Sequence, residues 1–274
     1  ADYPSNSQRP VNAGSYVMAP VAVITNSDYY KAVLPETATL TINRATRSLI
    51  ISSKPNTLKY GSSYTLGVTT SGSGDGALTF TTSTPSFCST SGAVLTAIAS
   101  YNTCSYSASI AQGNNYLSAS SSSESTSLNK ADTLTVTTNA ITPVTYTATT
   151  ANVDPTATVT GLKLTDTVTA NSVWFQYGTT VINGGSSTTT YATTAPTDAD
   201  TYIVNPYILV LSSGTLDNYD GVTYNNGSLQ ITRAQQAPLV ISQYSSIFGT
   251  PYKVQIFGGS GTGAVTATVS GGSA

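Results

Sequence analysis

The chain repeats itself at a spacing of about 188 residues, so its two ends resemble parts of its middle. Four segments share this spacing with a later copy, and the pairs are 10–16 with 196–202, 38–45 with 227–234, 60–64 with 248–252, and 72–79 with 259–266. Repetition at a fixed spacing is typical of tandem arrays, in which length and repetition carry the function. The sequence therefore constrains the architecture more than it constrains any ligand.

Three short segments divide the chain. In each, an aliphatic and a polar residue precede a basic residue and an alanine, and the segments end at Ala45, Ala131 and Ala234. Because each follows a strand-like run, we interpret them as domain ends joined by short linkers. The resulting pieces are residues 1–45, 46–131, 132–234 and 235–274. The two complete pieces together have the length of the repeat, so the repeat unit is a pair of unlike domains.

Strand patterns dominate every piece. Apolar or aromatic residues alternate with Thr at a period of two, for example in residues 39–42, 64–68 and 134–137. Gly-rich clusters and the Asn-Gly pair at 226–227 predict turns and hairpins. We interpret residues 93–99 as a strand pair or a bent strand, not a helix. Domains of about 100 residues with short strands predict an all-β fold of tandem immunoglobulin-like β-sandwiches in an elongated array.

The composition excludes some partners. Charged residues make up 8% of the chain and its net charge is −2, so no basic face for nucleic acid is expected. No apolar run reaches the roughly 20 residues that cross a bilayer, so we expect no membrane insertion within this segment. The first residues lack a signal-peptide pattern, and a signal or anchor either lies outside this stretch or does not exist.

The two cysteines, Cys88 and Cys104, lie close in sequence and beside strand-like runs. Their spacing predicts one disulfide that closes a small loop. A disulfide would indicate an oxidising, extracellular compartment. The alternative is two buried free thiols that behave as small apolar residues.

The third piece resembles a known family. It contains, in order, Gly-Leu-Lys-Leu-Thr-Asp-Thr-Val, Pro-Thr-Asp-Ala-Asp-Thr-Tyr, Leu-Asp-Asn-Tyr and Asn-Gly-Ser-Leu-Gln-Ile, at residues 161–168, 196–202, 216–219 and 226–231. This order resembles the MBG-type immunoglobulin-like repeats of large bacterial surface proteins. Residues 1–45 are similar to the back half of the same module. The copies differ, because Asp200 stands where the first copy has Gly14, and the first copy has Pro35-Glu36-Thr37 in place of the Asn-Gly pair.

The second piece resembles the bacterial Ig-like repeats that alternate with MBG modules. The matching features are Tyr60-Gly61, the Gly-Ser-Gly-Asp-Gly-Ala stretch, the two cysteines and Gly-Asn-Asn-Tyr at 113–116. Residues 235–274 look like the front half of such a module. The resemblance implies a secreted or cell-surface, adhesin-like array whose repeats have no enzymatic activity, and it suggests that the chain is a window from a longer fibre.

The residues themselves also argue against an enzyme. The chain has no histidine, which removes the usual general base and the usual zinc ligand. Two cysteines alone do not make a zinc site. The two glutamates, Glu36 and Glu124, lie in different pieces, so they do not predict a pair of catalytic carboxylates. We therefore expect neither catalytic residues nor a cofactor.

Two acidic clusters could hold Ca²⁺ between modules. They are residues 217–221 and the pair Asp198 and Asp200. The alternative, which we favour, is that these Asp and Asn residues make turns. The Asp-x-Asp-x-Asp-Gly order of a dedicated calcium loop is absent.

Tyrosines near turns could stack on sugars or line a protein-binding face. They are Tyr29, Tyr30, Tyr101, Tyr116, Tyr207 and Tyr219. For Tyr116 and Tyr219, each of which directly follows an Asn, we prefer a role in the core.

These observations lead to three hypotheses about function. The first is a non-catalytic stalk or spacer of a repetitive, extracellular cell-surface protein, whose partners are the neighbouring repeats. The second is a module that binds carbohydrate or another protein through loops at one end of a sandwich. The third is a subunit that assembles into a filament or surface layer.

Overall fold

The structure is a computed structural model that describes residues 9–19, 36–72, 75–149, 151, 153–183, 186–242, 245–268 and 270–271. The fold is all-β, as the sequence predicts, and no α-helix occurs among these residues. Two short 3-10 helices, Ala170–Ser172 and Leu216–Asn218, interrupt the strands. None of the helices in the described part of the chain is long and apolar enough to cross a membrane.

The strands are short, and their bounds in chain order are as follows: β1 Gly14–Met18, β2 Ala38–Ile42, β3 Leu49–Ser53, β4 Thr57–Lys59, β5 Ser63–Thr65, β6 Gly67–Thr70, β7 Leu78–Thr82, β8 Cys88–Ser91, β9 Val94–Ala97, β10 Thr103–Ile110, β11 Ala119–Ser120, β12 Glu124–Asn129, β13 Leu134–Thr138, β14 Val144–Thr145, β15 Ala157–Thr160, β16 Val173–Asn183, β17 Ser186–Ala192, β18 Thr201–Leu209, β19 Val222–Asn225, β20 Gly227–Thr232, β21 Val240–Ile241 and β22 Ile256–Phe257.

The strands form several small sheets. The larger ones are β11-β10-β12-β4 with β7 beside β10, β14-β20-β18-β16-β17, β15-β13-β19 and β5-β9-β8. Three two-stranded sheets pair β1 with β2, β3 with β6 and β21 with β22. Most pairs are antiparallel, and the exceptions include β4 with β12 and β14 with β20.

The chain divides into two compact units. The first contains Ala1–Thr135, Val159–Ser172 and Val210–Thr223, and the second contains Val136–Thr158, Val173–Leu209 and Tyr224–Ala274. The division of the sequence into four pieces stays a prediction.

The core of the first unit is built by period-two alternation. Along β10, Cys104, Tyr106, Ala108 and Ile110 are buried while the residues between them are not. The predicted disulfide is present and joins Cys88 of β8 to Cys104, with 5.7 Å between their Cα atoms. Residues 94–97 form β9 between β5 and β8, as the preference for a strand over a helix predicts.

The second unit has its own core. Tyr177, Tyr202, Val204, Leu229 and Ile231 are buried together on β16, β18 and β20. These three strands are neighbours in one sheet, so the alternating residues of each strand reach the same cluster.

One predicted hairpin is wrong. The Asn-Gly pair at 226–227 does not connect two paired strands, because β19 lies beside β13 whereas β20 lies beside β18 and β14. The chain changes sheet here. A Cβ on Gly227 would lie 2.7 Å from Cγ2 of Thr138, so the close approach of that side chain explains the glycine. In contrast, the strands on either side of the Gly-rich cluster at 183–187 do pair with each other, with Asn183 facing Ser186, while Gly184 and Gly185 lie outside the described residues.

Candidate functional site: two bonded junctions

The sequence repeat corresponds to a repeat in strand register. In the first unit β1 pairs with β2, and Tyr16 faces Leu40. In the second unit β18 pairs with β20, and Tyr202 faces Leu229. The pairs on either side of these also match at the repeat spacing. The two segments therefore form the same antiparallel pair, although only part of the sequence is shared.

A tyrosine hydrogen bond repeats with this strand pair. The Tyr16 hydroxyl donates to the carbonyl of Asn12 at 2.8 Å. The Tyr202 hydroxyl donates to the carbonyl of Asp198 at 3.0 Å. A bond from a strand tyrosine to the backbone a few residues upstream is a known corner device of immunoglobulin-like sandwiches. It fixes the loop that precedes each strand.

A second strand pair also repeats. Ile51 of β3 faces Val68 of β6, and Ile241 of β21 faces Ile256 of β22. These two pairs occupy matching positions in the 46–131 and 235–274 pieces.

The turn between the paired strands repeats as well. Gly61 and Gly249 both have positive φ, +74° and +86°. In both turns an N–H donates to the carbonyl three residues earlier, at 2.9 Å from Ser62 and 3.1 Å from Thr250. A left-handed residue in the tight turn explains why glycine occurs in both copies.

The alanine at the first predicted boundary is hydrogen-bonded into the piece that follows it. The Ala45 N–H donates to the carbonyl of Asn115, and the Ala45 carbonyl accepts from the N–H of Leu117, both at 2.9 Å. These two bonds place Ala45 beside Tyr116 as a parallel bridge.

The alanine at the second predicted boundary is held in the same way. The Ala131 N–H donates to the carbonyl of Asn218 at 2.8 Å, and the Asp220 N–H donates to the carbonyl of Ala131 at 2.9 Å. Ala131 thus bridges to Tyr219. At both boundaries the alanine is hydrogen-bonded to the backbone on either side of the tyrosine of an Asn-Tyr pair. The chain therefore passes from one piece to the next along a hydrogen-bonded strand edge and not through a free linker.

Side chains reinforce the first boundary. The side-chain oxygen of Asn115 accepts from the N–H of Ala13 at 2.7 Å, and its amide donates to the side-chain oxygen of Asn12 at 2.9 Å. Nε of Arg44 donates to the carbonyl of Gly113 at 2.9 Å. We call this set, together with Ala45, the first latch. It joins the strand pair β1–β2 to the loop that follows β10.

A buried arginine lies next to the first latch. Arg47 is 8% exposed, and its guanidinium donates to the carbonyl of Ala111 and, at 3.4 Å, to the carbonyl of Asp75. The Asp75 carboxylate in turn accepts from the N–H of Asn114 at 2.7 Å. These bonds hold the same loop at Ala111 and Asn114.

A buried carboxylate holds the second boundary. Asp166 is 7% exposed and accepts a 2.5 Å hydrogen bond from the hydroxyl of Tyr219. The Tyr60 hydroxyl lies 3.0 Å from one carboxylate oxygen and 3.1 Å from the other, so both share its single proton. The two rings meet edge to face with 5.7 Å between centroids. We call Tyr60, Asp166 and Tyr219 the second latch.

The second latch satisfies the hydrogen bonds of buried polar groups that would destabilise the fold if they had no partners. The Tyr219 oxygen also accepts from the N–H of Lys163 at 2.8 Å, so the hydroxyl both donates and accepts. Burial, followed by the hydrogen bond to Asp166, raises the pKa of Tyr60 to about 12. The same two causes raise the pKa of Tyr219 above its ordinary value. Both hydroxyls therefore stay protonated donors at neutral pH.

Further contacts surround the second latch. The Ser100 hydroxyl donates to the side-chain oxygen of Asn218 at 2.9 Å. Lys59 and Asp132 form an ion pair, but both side chains are exposed, so this pair contributes little stability.

Both acidic clusters take part in local hydrogen bonds, through the carboxylate of Asp200 and through backbone groups of Asp198 and Asp217. An oxygen of Asp200 accepts from the N–H of Thr201 at 2.7 Å, and the Asp217 N–H donates to the hydroxyl of Thr215 at 3.3 Å. The carbonyl of Asp198 accepts from Tyr202, as described above. Within the described ranges, no three acidic or cysteine side chains come together as a metal-binding group.

The tyrosines near predicted turns differ in their surroundings. Tyr101 is 72% exposed with the Lys130 ammonium 5.2 Å from its ring centroid. A core role is predicted for both Tyr116 and Tyr219; Tyr219 is fully buried, whereas Tyr116 is only half-buried. Tyr207 is also half-buried. Tyr29 and Tyr30 lie outside the described residues.

Sequence reasoning missed Asp166 and Asn115 as junction residues. Each lay within a motif that carried the resemblance, yet neither motif shows what its polar side chain contacts. The available signal was a single acidic residue in the run Gly-Leu-Lys-Leu-Thr-Asp-Thr-Val at 161–168, whose only other charged residue is Lys163. Compared with models of known protein families and with curated protein sequences, the chain matches none of them.

Proposed function

We propose that this chain is a non-catalytic spacer segment of a long, repetitive, extracellular surface protein, built from MBG-like and bacterial Ig-like modules in alternation. One observation carries the proposal: Ala45 and Ala131 each form hydrogen bonds to the piece that follows, through both the N–H and the carbonyl of the alanine. A spacer needs junctions that resist bending, and a bonded strand edge has fewer free dihedral angles than a flexible linker.

The disulfide and the repeated geometry support the same function. A disulfide is compatible with an extracellular location, and Cys88–Cys104 prevents its loop from extending under load. Matching register in both copies supports a module pair that recurs along a longer fibre. The mechanism is mechanical: each module folds locally, the latches restrict bending, and the neighbouring repeats are the partners.

The experiment that tests this function lengthens the protein by whole repeats. One or three extra copies of residues 46–234 are inserted after Ala234, and the maximum dimension is measured by small-angle X-ray scattering. We expect the dimension to grow in proportion to the number of copies. Growth with only the cube root of the mass would indicate a collapsed assembly and would reject the spacer function.

A matched control tests the latches in the same arrays. Asn115→Leu and Tyr219→Phe in every copy remove latch bonds, whereas Asn114→Leu and Tyr101→Phe alter exposed neighbours. The latch variants should shorten the average dimension through added bending, and the neighbour variants should leave it unchanged.

A further inference from the structure

The third boundary alanine, Ala234, lies in a cleft of about 550 Å³ within the second unit. Its walls include Asp198, Ala199, Arg233 and Gln236. A cleft of this volume is large enough for a short peptide turn. The question is which turn it fits.

The cleft walls match the residues that hold the first latch. At the repeat spacing, Asp198 and Ala199 correspond to Asn12 and Ala13, while Arg233, Ala234 and Gln236 correspond to Arg44, Ala45 and Arg47. In the first unit, every one of those five residues is hydrogen-bonded to the chain between Ala111 and Leu117. The cleft therefore presents five groups at matching positions, with Asp198 in place of Asn12 and Gln236 in place of Arg47.

The chemistry of the five positions is retained. The carboxylate of Asp198 can accept from an asparagine amide as the Asn12 oxygen does. The backbone groups of Ala199 and Ala234 are unchanged by sequence, Arg233 keeps the guanidinium of Arg44, and the Gln236 amide can donate to a carbonyl. An asparagine followed by tyrosine, in a Gly-Asn-Asn-Tyr turn, satisfies these groups together.

An apolar face next to the cleft fits the same occupant. Leu239 and Ile241 are 51% and 55% exposed. Their counterparts Leu49 and Ile51 are 5% and 3% exposed. In the first unit, Leu49 and Ile51 belong to one buried cluster with residues of β7, β10 and β12. An exposed face of this kind marks an interaction surface.

We infer that the cleft and the adjoining face of β21–β22 bind a half-sandwich of the same chemistry as residues 88–131, with its Gly-Asn-Asn-Tyr turn seated at Arg233 and Ala234. This inference rests on the proposed spacer function, because it names the partner of the third boundary. The half-sandwich docks from the same polypeptide, as β10 and β12 do on Leu49 and Ile51 in the first unit.

The experiment extends the full chain with a copy of its own residues 88–131, because the spacing of 259–266 from 72–79 makes residue 275 the counterpart of Cys88. Hydrogen exchange is measured over residues 239–257. We expect exchange to slow by about tenfold or more in the monomer as the apolar face becomes buried. Mass spectrometry should detect a second disulfide within the added copy.

The decisive comparison lies within the added copy. Asn115→Leu there should restore fast exchange near Ala199 and Ala234, whereas Asn114→Leu, at an exposed side chain, should not. Unchanged exchange in the extended chain would overturn the inference. Slow exchange seen only in dimers would also overturn it, in favour of pairing between two copies. Neither result alters the bonds at Ala45 and Ala131. If the array dimension still grows with copy number while the extended chain exchanges fast, the spacer function is kept and only this inference is rejected.

Discussion

The hydroxyl of Tyr219 donates a 2.5 Å hydrogen bond to Asp166, a carboxylate with only 7% of its surface exposed. Asp166 belongs to the segment 159–172 and Tyr219 to the segment 210–223, and both pack with Tyr60 in the first unit. A buried carboxylate without donors would be strongly unfavourable. Substitutions that remove a donor from the second latch should therefore strongly lower the stability of the first unit.

Tyr219→Phe should lower the free energy of unfolding of the first unit by about 1.5–3 kcal/mol, the typical loss for a hydrogen bond to a charged group. The substitution also deprives the Lys163 N–H of its acceptor. Urea denaturation measures the change. Tyr60→Phe should cost less, because its proton is shared between two oxygens and Tyr219 remains as a donor. Tyr101→Phe is the control at an exposed ring, and an equal loss there would contradict the role of the latch.

Alkaline pH should destabilise the first unit. The folded-state pKa of Tyr60 is about 12, and that of Tyr219 is also raised, whereas an unfolded tyrosine titrates near 10. The stabilisation is complete below pH of about 10 and is lost as the pH rises through about 12. Stability measured across this range should fall less steeply in Tyr219→Phe than in the parent. Parallel curves would show that the latch does not control the alkaline loss.

Gly214→Ala should be strongly destabilising. Gly214 has φ of +93°, and a Cβ there would lie 1.9 Å from an oxygen of Asp166. Backbone strain of about 1–2 kcal/mol adds to the displacement of the carboxylate. Gly92→Ala is the matched control, since Gly92 has φ of +56° with no atom within 4 Å of the added Cβ. Thermal unfolding should show a clearly larger loss for Gly214→Ala, and similar losses would mean that strain alone matters.

Asn115→Leu should release the strand pair β1–β2 from the first latch. The substitution removes the acceptor of the Ala13 N–H and the donor to Asn12. Hydrogen exchange at Ala13 should become faster by about tenfold, the equivalent of ~1.4 kcal/mol. Asn114→Leu changes an exposed neighbour and should leave Ala13 protected. Continued protection of Ala13 in Asn115→Leu would show that other contacts hold this edge.

Reduction of Cys88–Cys104 should weaken the first unit and lengthen it under force. The cysteines are separated by 16 residues, and a loop of this size corresponds to about 3 kcal/mol in the chain-entropy treatment. In single-molecule pulling, reductant should add about 50 Å to the unfolded length, since an extended residue spans ~3.3–3.6 Å. Equal lengths with and without reductant would show that the loop does not carry load.

The repeat in the sequence was a reliable guide to local geometry. Segments that repeat in the sequence share local geometry, as when Tyr16 and Tyr202 donate equivalent hydrogen bonds. Turn chemistry was a poorer guide at Gly227, where an Asn-Gly pair predicted a hairpin but the chain changes sheet and Thr138 packs against the glycine. Turn propensities depend on neighbouring residues along the chain, whereas a close approach depends on residues far away in sequence.

By itself the sequence determined the all-β class, the Cys88–Cys104 disulfide and which segments repeat, because alternation and turn chemistry act over a few residues. Only the tertiary structure decided that the Asp166 carboxylate accepts hydrogen bonds from the hydroxyls of Tyr60 and Tyr219, and that the Asn115 side chain accepts one from the N–H of Ala13. These partners are separated by between 53 and 106 positions. No local pattern encodes such a pairing, since it depends on which buried donors and acceptors the packed strands bring within hydrogen-bond distance.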